Sequence, residues 1–151
     1  MMPGSGRAVL VLVLAAHASA CAAKMSPMQK RQITTRVVDA TYDDTYRATM
    51  TVLQDHGYTI RNTDMDTGLI SAYAFRQDDG TRGYELSCIL EARTPDRTEI
   101  RMTIRRERTS EDRHWLAQLL SSDSPDVYDG DVYNGLFMEI AVETRRIVAS
   151  R

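Results

Sequence analysis

Cysteine is almost absent from this chain: Cys21 and Cys88 are the only two in 151 residues. A disulfide framework of the kind that staples small secreted domains is therefore excluded. Histidine is nearly as scarce. His17, His56 and His114 are all there are, and of these His56 and His114, the two beyond the first 20 residues, have no second His or Cys three or four residues away, so no metal-ligand spacing is present there. The G-x-S-x-G elbow of serine hydrolases is missing too. Lysine is confined to Lys24 and Lys30, and 19 basic residues face 21 acidic ones for a net charge of −2. A balance so near neutral gives no general attraction to nucleic acid. No apolar run is long enough to span a bilayer, which takes about 20 residues. Neither a catalytic residue, nor a cofactor, nor a metal site is expected.

What the chain does have is a well-marked N-terminus. Arg7 is followed by an unbroken apolar run over residues 8–16, then by His17, Ala18, Ser19, Ala20 and Cys21. A basic start, a short apolar stretch and small residues before a cleavage point make a secretory signal over residues 1–20. A cysteine directly after that point is similar to a bacterial lipobox, in which the sulfur is acylated. The usual Leu three residues before the cysteine is replaced by Ala18. Two acyl chains anchor stably where one does not, so Cys21 is the expected lipidation site and the membrane an expected partner. The competing reading is an ordinary A-x-A site at Ala18–Ala20, which releases a soluble protein. Ala22 and Ala23 follow the cysteine where an acidic residue would favour inner-membrane retention, so the outer membrane, facing the periplasm, is the expected address.

Residues 21–31 lack periodicity and contain Pro27; they read as a tether. Residues 32–151 read as a single domain. A first strand is expected over 32–40, with Ile33, Val37 and Val38 apolar. A helix follows, with Thr41 as N-cap and Asp43 and Asp44 at the positive end of its dipole. Tyr42, Tyr46, Thr49, Met50, Val52 and Leu53 form its apolar stripe. Gly57 suits the C′ position, where φ turns positive. Four strands are expected over 58–63, 69–75, 84–94 and 98–106. The third puts Tyr84, Leu86, Cys88, Leu90 and Ala92 on one face and Glu85, Ser87, Ile89, Glu91 and Arg93 on the other. The fourth puts Ile100, Met102 and Ile104 inward, and Arg101, Thr103 and Arg105 outward. Within an insert over 107–131, Trp115, Leu116, Leu119 and Leu120 fit one side of a short helix. A long helix over 131–149 carries Tyr133, Leu136, Phe137, Ile140, Thr144 and Ile147. The fold class is thus α+β: an antiparallel meander of about five strands, with two helices on one face, in the order β-α-β-β-β-β-(α)-α.

Leu53 to Ile60 and Asp64 to Ile70 spell a helix end "L-x-x-x-G-Y-x-I" followed by "D-x-x-x-G-L-I" and a meander. This pattern resembles small Gram-negative envelope lipoproteins, and in particular the helix-grip domains of the outer-membrane assembly lipoprotein BamC. The resemblance covers about residues 36–75 and, loosely, the last helix. It implies fold and location and brings no catalytic residue with it. The chain holds one such domain, where BamC has two.

Asp64 and Asp66 have two readings, a solvated turn or part of a cation site; the full calcium-loop frame is absent. Cys88 falls on the apolar face and is expected to be buried and unreactive. Trp115 is either core or an apolar contact for a partner or a membrane interface. Ile89 is the one large apolar residue on an otherwise polar strand face. Trp115 and Ile89 are the expected partner-binding residues. The expected function is that of a non-enzymatic, membrane-anchored lipoprotein that binds another envelope protein. The alternative is a carrier or sensor holding a lipid or small apolar ligand between helices and sheet.

Overall fold

Ser26 starts the first helix. The computed structural model describes residues 25–76, 82–107 and 126–151, and in it α1 spans Pro27–Thr34. Ser26 Oγ accepts from the Gln29 backbone N–H at 3.2 Å, and Gln29 Oε1 accepts from the Ser26 N–H at 2.8 Å. This is a complete capping box. Pro27 occupies the first helical position, where a missing N–H removes nothing. The tether expected over 21–31 is therefore helical from Pro27 onward. The expected strand over 32–40 shrinks to β1, Thr35–Val38, and Ile33 packs against the core from α1.

The second helix, α2, spans Tyr42–Asp55 with Thr41 as its N-cap. Thr41 Oγ1 accepts from the Asp44 N–H at 3.3 Å and donates to Asp44 Oδ2 at 2.8 Å. Its buried face is Asp44, Thr45, Tyr46, Ala48, Thr49, Val52 and Leu53, while Tyr42 and Met50 are only partly covered. The stripe is wider than expected and reaches round to Asp44, Thr45 and Ala48, because α2 also packs against the last helix. At its end Gly57 has φ 78°, the Tyr58 N–H donates to Leu53 O and the Gly57 N–H to Gln54 O, both at 2.9 Å. Two such bonds closing on a left-handed residue make a Schellman cap.

The strands are β2 (Thr59–Asp64), β3 (Leu69–Arg76), β4 (Arg82–Thr94), β5 (Arg97–Arg106) and β6 (Asp126–Val127). All pairings are antiparallel, in the order β1-β5-β4-β3-β2, with β6 also on β5. Strands β2 to β5 form the expected meander, and β1 joins at the far side, next to β5. The last helix, α3, spans Gly130–Ala149 behind the N-cap Asp129. Thus α+β holds, with three helices rather than two among the described residues. The expected insert helix with Trp115, Leu116, Leu119 and Leu120 lies outside the described residues, as do Cys21 and the loop 77–81.

Helices α2 and α3 cover one sheet face. Beneath them Ile70, Ala72, Leu86, Cys88, Leu90, Ile100, Met102 and Ile104 form a single core with Val52, Leu53, Tyr133, Leu136, Phe137 and Ile140. Alternation in β5 is as expected. In β4 it fails at Ala92, which is exposed, where the β4–β5 register shifts between Ala92 and Thr94. Tyr133, fully buried, donates to Val127 O at 3.0 Å and accepts from the Ile104 N–H at 2.9 Å. One hydroxyl thus satisfies two backbone groups where β6 ends, and burial pushes its own pKa up to about 12. No helix among the described residues is long and apolar enough to cross a membrane.

Candidate functional site

The sheet face opposite α2 and α3 has a regular layout set by strand register. One row runs Leu69, Ile89, Arg101, Thr35, and the next Ser71, Ser87, Thr103. Ile89 is 45 % exposed, and Val37, on the same face of β1, 46 %. These two rows make a low strip of aliphatic and hydroxyl side chains, interrupted by Arg101 beside Ile89. Thr35 Oγ1 in it is a buried polar atom without a hydrogen-bond partner among the described residues.

Charges flank the strip on both sides, and most are paired within the chain. Toward the β4–β5 turn, Arg93 contacts Glu91 at 3.0 Å and Glu99 at 2.9 Å, and Arg101 lies 3.6 Å from Glu99. Toward the other end, Arg105 contacts Asp126 at 2.9 Å, the Arg61 guanidinium lies 4.2 Å from the Tyr73 ring centroid, and Tyr73 donates to Glu107 at 2.8 Å. That hydrogen bond, ahead of burial, raises the Tyr73 pKa. Exposed pairs of this kind contribute about 0–1 kcal/mol each. Their effect is to hold long side chains down and leave Ile89 standing clear.

Sequence placed Ile89 on this face and the structure agrees. Leu69 and Tyr73 also lie there and escaped notice. The alternation of β3 puts Leu69, Ser71, Tyr73 and Phe75 outward and the smaller Ala72 and Ala74 inward, which reverses the usual size rule. Phe75 is 52 % exposed while Ala74 is buried.

The acidic turn is structural. Asp64 accepts from the backbone N–H of Asp66 at 3.0 Å and of Thr67 at 3.2 Å. Hydrogen bonding, led by the Thr67 side chain, draws its pKa below the ordinary carboxylate value. Gly68 has φ 75°, and a Cβ there would sit 2.1 Å from the Leu90 carbonyl oxygen. The "D-x-x-x-G-L-I" spacing thus encodes a turn laid directly on the β4 backbone. Among the described residues no group of three His, Cys, Asp or Glu gathers as a cation site. Cys88 is fully buried, and desolvation lifts its thiol to about 12.

On the helix side, a groove of about 560 Å³ opens between the end of α2, the first turns of α3 and the inner ends of β3 to β6. Its walls include Tyr58, Ala74, Tyr84, Ile104, Val127 and Leu136, and its rim includes His56, Arg106, Asp129 and Asp131. His56 Nε2 lies 2.8 Å from Glu139 Oε2, tying α2 to α3 beside it. Gly135 forms part of the α3 wall, and a Cβ there would meet nothing within 4 Å. A glycine in a helix interior is worse than alanine by about 0.8–1.0 kcal/mol. Packing gives no reason for it at this position.

No protein-family model matches the chain, and no curated protein matches it.

Proposed function

We propose that this is a lipid-anchored envelope protein without catalytic activity, which binds another envelope protein through its open sheet face. It belongs, on this reading, to the small Gram-negative lipoproteins that the BamC-like pattern suggests. Cys21 carries the anchor, and the domain faces the periplasm from the outer membrane. The observation that carries the docking reading is the Leu69–Ile89 strip, left uncovered by both long helices and flanked by charges already paired within the chain. Fully desolvated apolar anchors at the centre of a patch provide most of the energy in protein–protein binding, with polar rims adding specificity. Ile89 is the central anchor. Trp115 is a second contact proposed from sequence, and nucleic acid is not a partner.

Two measurements test the proposal. Lipid labelling of the wild type should be lost in Cys21→Ala, with a precursor or soluble product in its place; an unlabelled wild type retained equally in the membrane would remove the anchor. Cross-linking in intact envelopes should yield a discrete adduct for the wild type. Ile89→Asp, melting like the wild type, should lose that adduct, and Trp115→Ala should weaken it. An adduct indifferent to Ile89→Asp would refute the sheet-face site.

A further inference from the structure

We propose that the groove between α3 and the sheet is a binding site for a single-chain amphiphile with a zwitterionic head group. It lies on the other side of the sheet from Ile89 and is independent of the docking reading. Three observations carry it. The groove holds about 560 Å³, within the range of small-molecule sites, and its floor of Ala74, Ile104 and Leu136 is apolar. Such a floor suits a hydrocarbon chain.

The second observation is Gly135. Glycine is a poor helix former, and here no neighbour requires one, since a Cβ would meet nothing within 4 Å. The space it leaves is groove. Ala74 on the sheet wall is small as well, while its strand neighbour Tyr73 is not part of the lining.

The third observation is the charge at the mouth. Arg106 is exposed and has no acidic partner among the described residues; Arg61 and Arg145 share that property, but Arg106 is the arginine that lines the groove. Asp129 and Asp131 stand at the start of α3 on the same rim. A ligand with an anionic group for Arg106 and an ammonium for the two carboxylates satisfies both signs. A purely anionic head meets the aspartates, and a purely cationic one meets Arg106.

Calorimetric titration of the full chain carrying Cys21→Ala tests this, with dodecylphosphocholine, dodecanoate and dodecyltrimethylammonium, each below its micellar concentration. Dodecylphosphocholine should bind saturably, one per chain, at least tenfold tighter than the other two. Gly135→Leu should fill the groove and weaken binding at least tenfold without lowering the melting temperature. Arg106→Gln, on the exposed rim, should abolish the preference for the zwitterion over the cation. Ile89→Asp should leave the titration unchanged. Equal binding of all three probes, non-saturable uptake, or wild-type affinity in both Gly135→Leu and Arg106→Gln would overturn the proposal.

Discussion

Consecutive residues of β4 occupy opposite environments: Cys88 is fully buried, and Ile89 is 45 % exposed. The same holds along the whole strand pair. On the inner face Leu86, Cys88, Leu90, Ile100, Met102 and Ile104 are each at most 3 % exposed and meet α2 and α3. On the outer face Ser87, Ile89, Glu91, Arg93, Arg101 and Thr103 have their strand neighbours and the Glu99 carboxylate beside them, and neither α2 nor α3 covers them. Inner residues are constrained in volume, because close packing registers the loss of a single methylene. Outer residues are constrained only by register and by pairwise charge. Selection for a partner is free to act on the outer face and has little room on the inner one.

The comparison can be broken in several places, and the inner face should break hardest. Ile100→Ala removes a fully buried side chain beneath the helices and should destabilise by about 2–5 kcal/mol in a denaturant titration. A loss below 1 kcal/mol would mean that the core collapses to fill the space.

Gly68 and Gly57 sharpen the contrast, since both have positive φ but different surroundings. Gly57→Ala adds only the left-handed penalty, about 1–2 kcal/mol. Gly68→Ala adds that and a clash with the Leu90 carbonyl, about 2–4 kcal/mol together. Equal effects at the two sites would show that the turn lifts off β4 without resistance.

Cys88 gives the inner face a pH signature. Its thiol stays protonated in the folded protein up to about 12, but in the unfolded chain it ionises near its ordinary 9.0. The folded state binds the extra proton, so stability is intact below pH 9 and falls as pH rises from there toward 12. Tyr133 adds a drop of the same sign at higher pH. Melts at pH 7, 9 and 10.5 should show the decline, shallower in Cys88→Ala. Thiol labelling of native protein should be slow and accelerate on denaturation. Fast native labelling would place the thiol outside the core.

The smallest effect belongs to the outer face. Ile89→Asp should change stability by no more than about 0.5 kcal/mol. A large loss would mean that Ile89 is already covered by the chain's own residues.

This contrast also explains what could be read from sequence alone. Residues on β4 and β5 declare their face by period-two alternation, and the Leu53–Gly57–Tyr58 ending declares a helix cap. Pro27 misled because its meaning depends on position: inside a helix it breaks, at the first turn behind Ser26 it starts one. Asp44 could not be foreseen as buried, because its partner Arg151 lies 107 residues away. The groove was equally invisible, since Gly57, Ala74 and Gly135 meet only in three dimensions. Ile89 was legible because it breaks a polar pattern, whereas Leu69 lay hidden in a strand that carries large residues on both faces.

The junction of α1 and β1 has a mechanical consequence. α1 runs without a break into β1, which is only four residues long and pairs on one side, with Thr98–Arg101 of β5. A pull exerted on the chain before Ser26 reaches the sheet through that short edge ladder, reinforced by Arg97–Asp39 and by the hydrogen bond from Thr98 Oγ1 to Ala40 O. The ten-residue β4–β5 register lies one strand further in. Under tension β1 is the first strand loaded: peeling it from the edge withdraws Val38 from the core but leaves the β2 to β5 ladders paired, so the domain gains reach at the cost of one corner of its core.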